Sequence, residues 1–126
     1  MTGALTPLIL VAVLAAGAAG AVLRYALSRI LPVRPGRLPG GILIVNVAGS
    51  ALAGALIGLA ERAALDGDLR LILITGFCSG LTTFSTWSVE TIELLNGGRW
   101  RAAVLNVVLT ITLGLGAAAG AYLLLR

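Results

Sequence analysis

The sequence contains no histidine and no lysine, and Cys78 is its single cysteine. One cysteine cannot form an intrachain disulfide, and the absence of histidine excludes a cysteine-histidine metal site. Charged residues make up only 11% of the 126 residues, whereas a soluble domain carries roughly 25%, and 59% are hydrophobic. This scarcity of charge excludes an ordinary soluble domain and indicates an integral membrane protein.

Four stretches without any charged residue follow one another along the chain, at 2–23, 38–60, 71–89 and 102–125. Each is close to the roughly 20 apolar residues that a helix needs to cross a bilayer. The connecting loops are short, so we expect residues 1–126 to form a single domain. The predicted fold is an all-α membrane protein with four transmembrane helices and both termini on the same side.

The net charge of +4 comes from nine arginines that are scattered over loops and span ends. This distribution favours anchoring at the membrane interface over nucleic-acid binding. The first and third loops with their flanks carry Arg29, Arg34, Arg37, Arg99 and Arg101, and the opposite side carries Arg62, Arg70 and Arg126. The weak bias slightly favours a cytoplasmic position for the first and third loops, and it is compatible with insertion in both orientations.

A polar, glycine-broken run, GFCSGLTTFSTWS, occupies residues 76–88 inside the third apolar stretch. A bilayer core tolerates freed backbone groups and clustered hydroxyls only where protein or a water-filled cavity satisfies them. The run therefore predicts a break in the third helix. Unwound carbonyls at a break can bind a cation and the amino end of a half-helix favours an anion, while a kink that binds nothing is the alternative.

Acids and bases for catalysis are scarce at membrane depth. With no histidine or lysine, and no carboxylate in the first, second or fourth stretch, an enzyme is not expected. Glu90 and Glu93 follow the third stretch, where a solvated helix end is the simplest interpretation. Because proton-coupled transporters generally need a titratable group in the membrane, the sequence favours passive conduction.

Two features favour an anion as the conducted ion. Arg24 follows the first apolar stretch, where it either raises the anion concentration in a vestibule or snorkels to the headgroups. Phe84 and Trp87 are three residues apart and share one face of a helix. The positive edges of their rings can line an anion path, and packing against lipid or the protein core is the alternative.

Three motifs in this sequence resemble the Fluc (CrcB) fluoride channels. Residues 76–87 resemble that family's third-helix signature, 20–25 the end of its first helix and 41–54 its second helix. The resemblance implies a fluoride-selective channel that exports fluoride passively across the bacterial plasma (inner) membrane, lowers cytoplasmic fluoride and so confers fluoride resistance. It also implies an antiparallel, dual-topology dimer with two narrow pores, formed as a homodimer or with a paralogue.

The same resemblance implies which side chains meet the fluoride ion. Asn46 corresponds to a donor near the entrance of the path, and Phe84 and Trp87 correspond to the aromatic pair beside it. Arg24 corresponds to a position in the electropositive vestibule. A polar track completes the implied path, with Ser85, Thr86, Asn106 and Thr110 as its members.

A structural sodium ion at the dimer centre is also implied, bound by the main-chain carbonyls of Ser79 and Thr82. The chain departs from the family pattern at three positions that bear on these roles. Trp87 stands where phenylalanine is usual, which keeps an aromatic edge and adds an N–H donor. Ser79 replaces a usual glycine, which a main-chain ligand tolerates, and Ile42 replaces a common threonine.

Two other classes of protein fit parts of the pattern. A small dual-topology, proton-coupled multidrug transporter shares the four short spans, and Glu90 would have to be its membrane-embedded acid. A noncatalytic assembly subunit is supported only by small residues at four-residue spacing, such as Gly54 with Gly58 and Gly116 with Gly120, which allow close helix packing.

Overall fold

The computed structural model describes residues 6–31 and 37–126, and this part of the chain is built from helices. The first, second and fourth spans are α1 (Pro7–Ile30), α2 (Gly40–Glu61) and α6 (Trp100–Leu125). The third span, Gly67–Asn96, consists of α3 (Gly67–Leu71), a π-helical segment (Ile72–Cys78), α4 (Ser79–Leu81) and α5 (Phe84–Asn96). All four spans are long and apolar enough to cross a membrane. The chain is therefore a multi-pass membrane protein whose third span carries the predicted break.

Two spans are longer than the charge-free stretches that predicted them. α1 continues to Ile30, so Arg24 lies inside the helix and not at its end. The third span continues to Asn96, so Glu90 lies within the helix and is half-buried, whereas Glu93 is exposed three residues before its end. A charged side chain does not end a helix, and neither 24–30 nor 88–96 contains a proline or glycine that would.

Local signals at the helix ends agree with the sequence. The Thr6 hydroxyl accepts a hydrogen bond from the Ile9 N–H at 3.3 Å and caps α1, which begins at a proline. Asp66 caps α3 in the same way. In the tight turn before α6, Gly98 has a φ of 73°, which glycine adopts without strain.

The remaining positions of the first loop, 32–36 with Arg34, and residues 1–5 lie outside the described residues.

Glycines set which helices lie close together. Gly54 and Gly58 on α2 face α6, where a Cβ on Gly58 would lie 2.8 Å from the Tyr122 carbonyl oxygen and one on Gly54 would overlap the carbonyl of Ala118. On the other side, Gly20 of α1 lies directly against the backbone of the π-helical segment and α4. The third span is therefore fixed against α1, and α2 against α6.

The faces that point away from these contacts are apolar. Val45 is fully buried, whereas Leu8, Leu115 and Leu124 are 68 to 80% exposed on the outside of the helices. In a soluble protein such a surface would promote aggregation, but in a bilayer it contacts hydrocarbon that is equally apolar. The arrangement is that of helices surrounded by lipid, with the polar groups gathered around the break in the third span.

Candidate functional site

The site is built around a two-residue interruption between α4 and α5. Thr82 and Thr83 have extended backbones, with φ and ψ of −81° and 157° at Thr82 and −148° and 124° at Thr83. The Asn46 carboxamide of α2 bonds both backbone groups of Thr83: its oxygen accepts from the Thr83 N–H at 2.8 Å, and its nitrogen donates to the Thr83 carbonyl at 3.1 Å. Gly49, one turn further along α2, leaves room for the Thr82 methyl group. One face of α2 therefore stabilises the break.

Thr83 links the break to the start of α5. Its side chain is buried, and its hydroxyl oxygen accepts from the Thr86 N–H at 3.2 Å as the cap of the helix. The same hydroxyl donates to Thr86 Oγ1 at 3.2 Å and lies 3.2 Å from Ser85 Oγ. Sequence reasoning did not assign Thr83 to the site. The available signal was a threonine directly before a helix, which predicts a cap but not its contact with Asn46.

One face of α5 borders a groove, which we call the aromatic groove, with a volume of about 400 Å³. Phe84 and Trp87 form one wall with ring centroids 5.3 Å apart and an interplanar angle of 47°. Phe84 is 77% exposed, so its ring lies open at the rim. The groove is lined by Asn46, Ser50, Thr82, Thr83, Phe84, Trp87, Thr110 and Ile111. It thus brings together four of the residues predicted for the fluoride path: Asn46, Phe84, Trp87 and Thr110.

The opposite side of α5 borders a second pocket of about 390 Å³, which we call the arginine pocket. Arg24 lines it together with Ser85, Thr86 and Glu90. Neighbouring helical positions point in different directions, so Ser85 and Thr86 do not share the face of Phe84 and Trp87. The structure therefore divides the predicted path residues between two faces of α5, with the Thr83 hydroxyl network between them.

Asn106 lines neither of these pockets. Its side chain is 2% exposed and donates from Nδ2 to Thr91 Oγ1 at 3.0 Å, and the Thr91 hydroxyl donates to the Trp87 carbonyl at 2.8 Å. This chain of bonds joins α6 to the helix that carries the aromatic pair. In the described chain Asn106 positions α5, and contact of Asn106 with a conducted ion stays a prediction.

The residues predicted to hold sodium lie at the two ends of the three-residue helix α4: Ser79 is its first residue and Thr82 follows its last. The Ser79 hydroxyl donates to the Ile74 carbonyl at 3.3 Å and the Thr82 hydroxyl to the Cys78 carbonyl at 3.0 Å, so both side chains are bonded to their own span. A helix leaves its last carbonyls without intrahelical partners, and α4 ends at Leu81. Neutral main-chain oxygens of this kind suit sodium. No group of three or more acidic, cysteine or histidine side chains that could hold a metal occurs within 6–31 and 37–126.

Four apolar spans, a broken third helix and two polar pockets around the break define a small multi-pass membrane protein with hydrogen-bonding groups gathered at membrane depth. The family model described as "CrcB-like protein, Camphor Resistance (CrcB)" matches residues 11–122. The chain belongs to this CrcB-like family.

Relatives from bacteria and archaea agree with this assignment. A protein of Mycobacterium bovis named "Fluoride-specific ion channel FluC 1" is 46% identical over 118 residues, which cover 93% of this chain and 89% of that protein. Two proteins named "Fluoride-specific ion channel FluC" also match. The one from Methanococcus maripaludis is 45% identical over 73% of this chain and 75% of its own length. The one from Shewanella frigidimarina is 43% identical over 77% and 79%.

Proposed function

We propose that this chain is the subunit of a fluoride-selective channel that lets fluoride leave the cytoplasm passively across the bacterial plasma membrane. The observation that carries the proposal is the aromatic groove at the break, where aromatic rings and neutral donors lie together, in a chain whose relatives are named fluoride-specific channels. Export through such a channel lowers cytoplasmic fluoride and confers fluoride resistance.

The chemistry of the groove suits a small, strongly hydrated anion. Removing water from fluoride requires replacement donors in a passage of low dielectric constant. Asn46 uses one carboxamide N–H on Thr83 and keeps a second for a ligand. The ring edges of Phe84 and Trp87 add weak positive potential. The positive charge of Arg24 raises the anion concentration in the neighbouring arginine pocket.

The membrane potential supplies the driving force in this proposal. A negative interior expels an anion by about 2.3 kcal/mol for each 100 mV. No proton or other ion needs to be exchanged for fluoride, so the channel would conduct in the direction that the electrochemical gradient sets.

The working unit would be an antiparallel, dual-topology dimer with two pores, formed by two copies of this chain or with a paralogue. Phe84 supports this part of the proposal through its position: its ring is 77% exposed beside the hydrogen-bonding groups of the aromatic groove, where a second copy would close the open side of the groove. The carbonyls of Ser79 and Thr82 would hold a structural sodium ion where the two breaks meet. One chain supplies only part of a sodium shell, so the second copy would complete it.

Fluoride efflux from proteoliposomes tests the function. Vesicles loaded with potassium fluoride and treated with valinomycin should release fluoride within seconds of dilution, as measured with a fluoride electrode. Vesicles loaded with potassium chloride should retain chloride, and protein-free vesicles are the control. Fluoride release no faster than in the control, or chloride release at the same rate, would refute the proposal.

One observation favours a second candidate, a proton-coupled multidrug transporter. Glu90 Oε2 is buried and has no hydrogen-bond partner among the described residues, and Glu90 lies in the arginine pocket inside the span. A carboxyl group at this depth is what such a transporter needs. Uptake of an organic cation driven by a pH gradient and abolished by Glu90→Gln would favour this candidate. Fluoride efflux that persists in the same variant would favour the channel.

A further inference from the structure

Two hydrogen-bonding atoms in the aromatic groove are buried without a partner. They are Nε1 of Trp87 and Oγ1 of Thr110, and among the described residues only Glu90 Oε2 shares this condition. Trp87 and Thr110 come from different spans, α5 and α6, yet both line the same groove. Buried polar atoms are nearly always paired, so two such atoms in one groove indicate a common ligand.

The unpaired hydroxyl of Thr110 is unusual within this chain. A threonine or serine inside a helix commonly donates back to the carbonyl four residues earlier. Thr91 does so to Trp87 at 2.8 Å, Ser88 to Phe84 at 2.8 Å and Thr112 to Val108 at 2.7 Å. Thr110, only two residues before Thr112, makes no such bond. Its hydroxyl is therefore available to something in the groove.

The other hydroxyls around the break are already engaged. The Thr83 hydroxyl bonds Thr86 and lies within hydrogen-bond distance of Ser85, and the Thr82 hydroxyl donates to the Cys78 carbonyl. Ser85 and Thr86, which the polar-track prediction included, thus have their hydroxyls in the Thr83 network. The donors in the aromatic groove include the Ser50 hydroxyl and one N–H of Asn46, and the two that are buried without a partner are the indole N–H and the Thr110 hydroxyl.

We propose that the Trp87 indole N–H and the Thr110 hydroxyl together form a two-donor binding subsite for a small dehydrated anion, which is fluoride in the proposed channel. An indole nitrogen can only donate, so the ligand must accept hydrogen bonds and a bare cation is excluded. Hydrogen bonds to an ionised acceptor are about twice as strong as neutral ones. The subsite rests on the proposed function, and it assigns to Trp87 a bond that a phenylalanine ring cannot make.

Tryptophan fluorescence of the full chain in detergent can test binding separately from conduction. The chain has two tryptophans, and Trp100 is an exposed residue at the start of α6, so Trp100→Phe leaves Trp87 as the only reporter. Sodium fluoride titrated against sodium chloride at constant ionic strength should give a saturable change in emission. In this background, Thr110→Val should raise the apparent Kd about tenfold, which corresponds to about 1.4 kcal/mol.

Two variants control for structure. Thr110→Ser keeps the hydroxyl and should restore the parent Kd. Thr112→Val removes a hydroxyl that bonds its own helix and should leave the Kd unchanged. No fluoride-specific change in emission, or equal effects of Thr110→Val and Thr112→Val, would mean that the two atoms bind water only and would overturn the subsite.

Flux measurements separate a failure of the subsite from a failure of the function. Trp87→Phe and Thr110→Val should each raise the fluoride concentration for half-maximal efflux about tenfold, and the double variant should do little more because both donors serve one ion. Unchanged half-maximal concentrations in vesicles that still conduct would overturn the subsite and keep the channel. Fluoride-dependent emission without any efflux would keep the anion subsite and overturn the channel.

Discussion

Asn46 bonds both the N–H and the carbonyl of Thr83, at 2.8 and 3.1 Å. Thr83 is the N-cap of α5, so its carbonyl also serves the helix, and the Asn46 oxygen satisfies the N–H that the break leaves without a helical partner. An unpaired peptide group in a membrane costs far more than in water, where solvent replaces the lost partner. The bent shape of the third span thus depends on a side chain of the second.

Asn46→Asp should therefore damage both shape and conduction. A carboxylate still accepts from the Thr83 N–H but cannot donate to the Thr83 carbonyl, and its charge repels an anion in the groove. We expect a loss of about 1–3 kcal/mol in stability and no measurable fluoride efflux. Thermal unfolding in detergent and the electrode assay measure the two effects. Asn96→Asp makes the same change at an exposed helix end, and equal losses in both variants would contradict the assignment.

Replacing the exposed ring at the rim of the aromatic groove should slow conduction. Phe84→Ile keeps an apolar side chain but removes the positive ring edge and the contact with Trp87, whose centroid lies 5.3 Å away. We expect fluoride efflux to fall at least about tenfold, equivalent to about 1.4 kcal/mol in the barrier. Arg62→Gln, at the exposed end of α2, should conduct like the parent. Similar rates in the two variants would remove Phe84 from the path.

The close approach of α2 and α6 requires a glycine at position 54, because any side chain larger than hydrogen would clash with α6. A methyl group there would overlap the Ala118 carbonyl, so Gly54→Ala should destabilise the fold by about 1–3 kcal/mol. Gly67→Ala adds the same methyl group at the start of α3, where nothing lies within 4 Å, and should change stability by less than about 0.5 kcal/mol. Detergent melting curves provide the comparison. Equal melting temperatures would show that the helices can move apart without cost.

The proposed sodium site predicts a dependence on the cation in the buffer. Replacing sodium by N-methyl-D-glucamine should lower the melting temperature of the purified protein, because a ligand that binds only the folded state stabilises it. Ser79→Ala should keep this response, since the ligand is the main-chain carbonyl and the Ser79 hydroxyl bonds Ile74. Identical melting curves in the two cations would exclude a structural sodium ion.

The number of spans and the position of the break could be predicted because both depend on local features of the sequence. Charge-free runs of spanning length and a glycine-broken polar run need no knowledge of tertiary contacts. The ends of the spans were harder to predict from the sequence. Arg24 and Glu90 interrupt the apolar runs without interrupting the helices, so they were placed at span ends although they lie inside the spans.

The internal arrangement of the site depended on contacts that sequence spacing cannot show. Asn46 and Thr83 are 37 positions apart, and nothing local distinguishes an asparagine that bonds a backbone from one that meets an ion. Helical geometry alone could have separated Ser85 and Thr86 from the face of Phe84 and Trp87. The spacing of small residues did not show which of them pack between helices. Gly54 and Gly58 on α2 lie against α6, whereas a Cβ added at Gly116 or Gly120 of α6 would meet no other described element within 4 Å.

The bond between Asn46 and Thr83 also bears on how the chain is made. Synthesis proceeds from the amino end, so α2 leaves the ribosome before the third span does. The carboxamide that Thr83 needs is therefore present in the bilayer when the broken segment arrives. If the third span were synthesised before α2, the backbone groups of Thr83 would enter the bilayer before Asn46 could form hydrogen bonds with them. The order of the helices along the chain thus places Asn46 in the membrane before the backbone that it bonds.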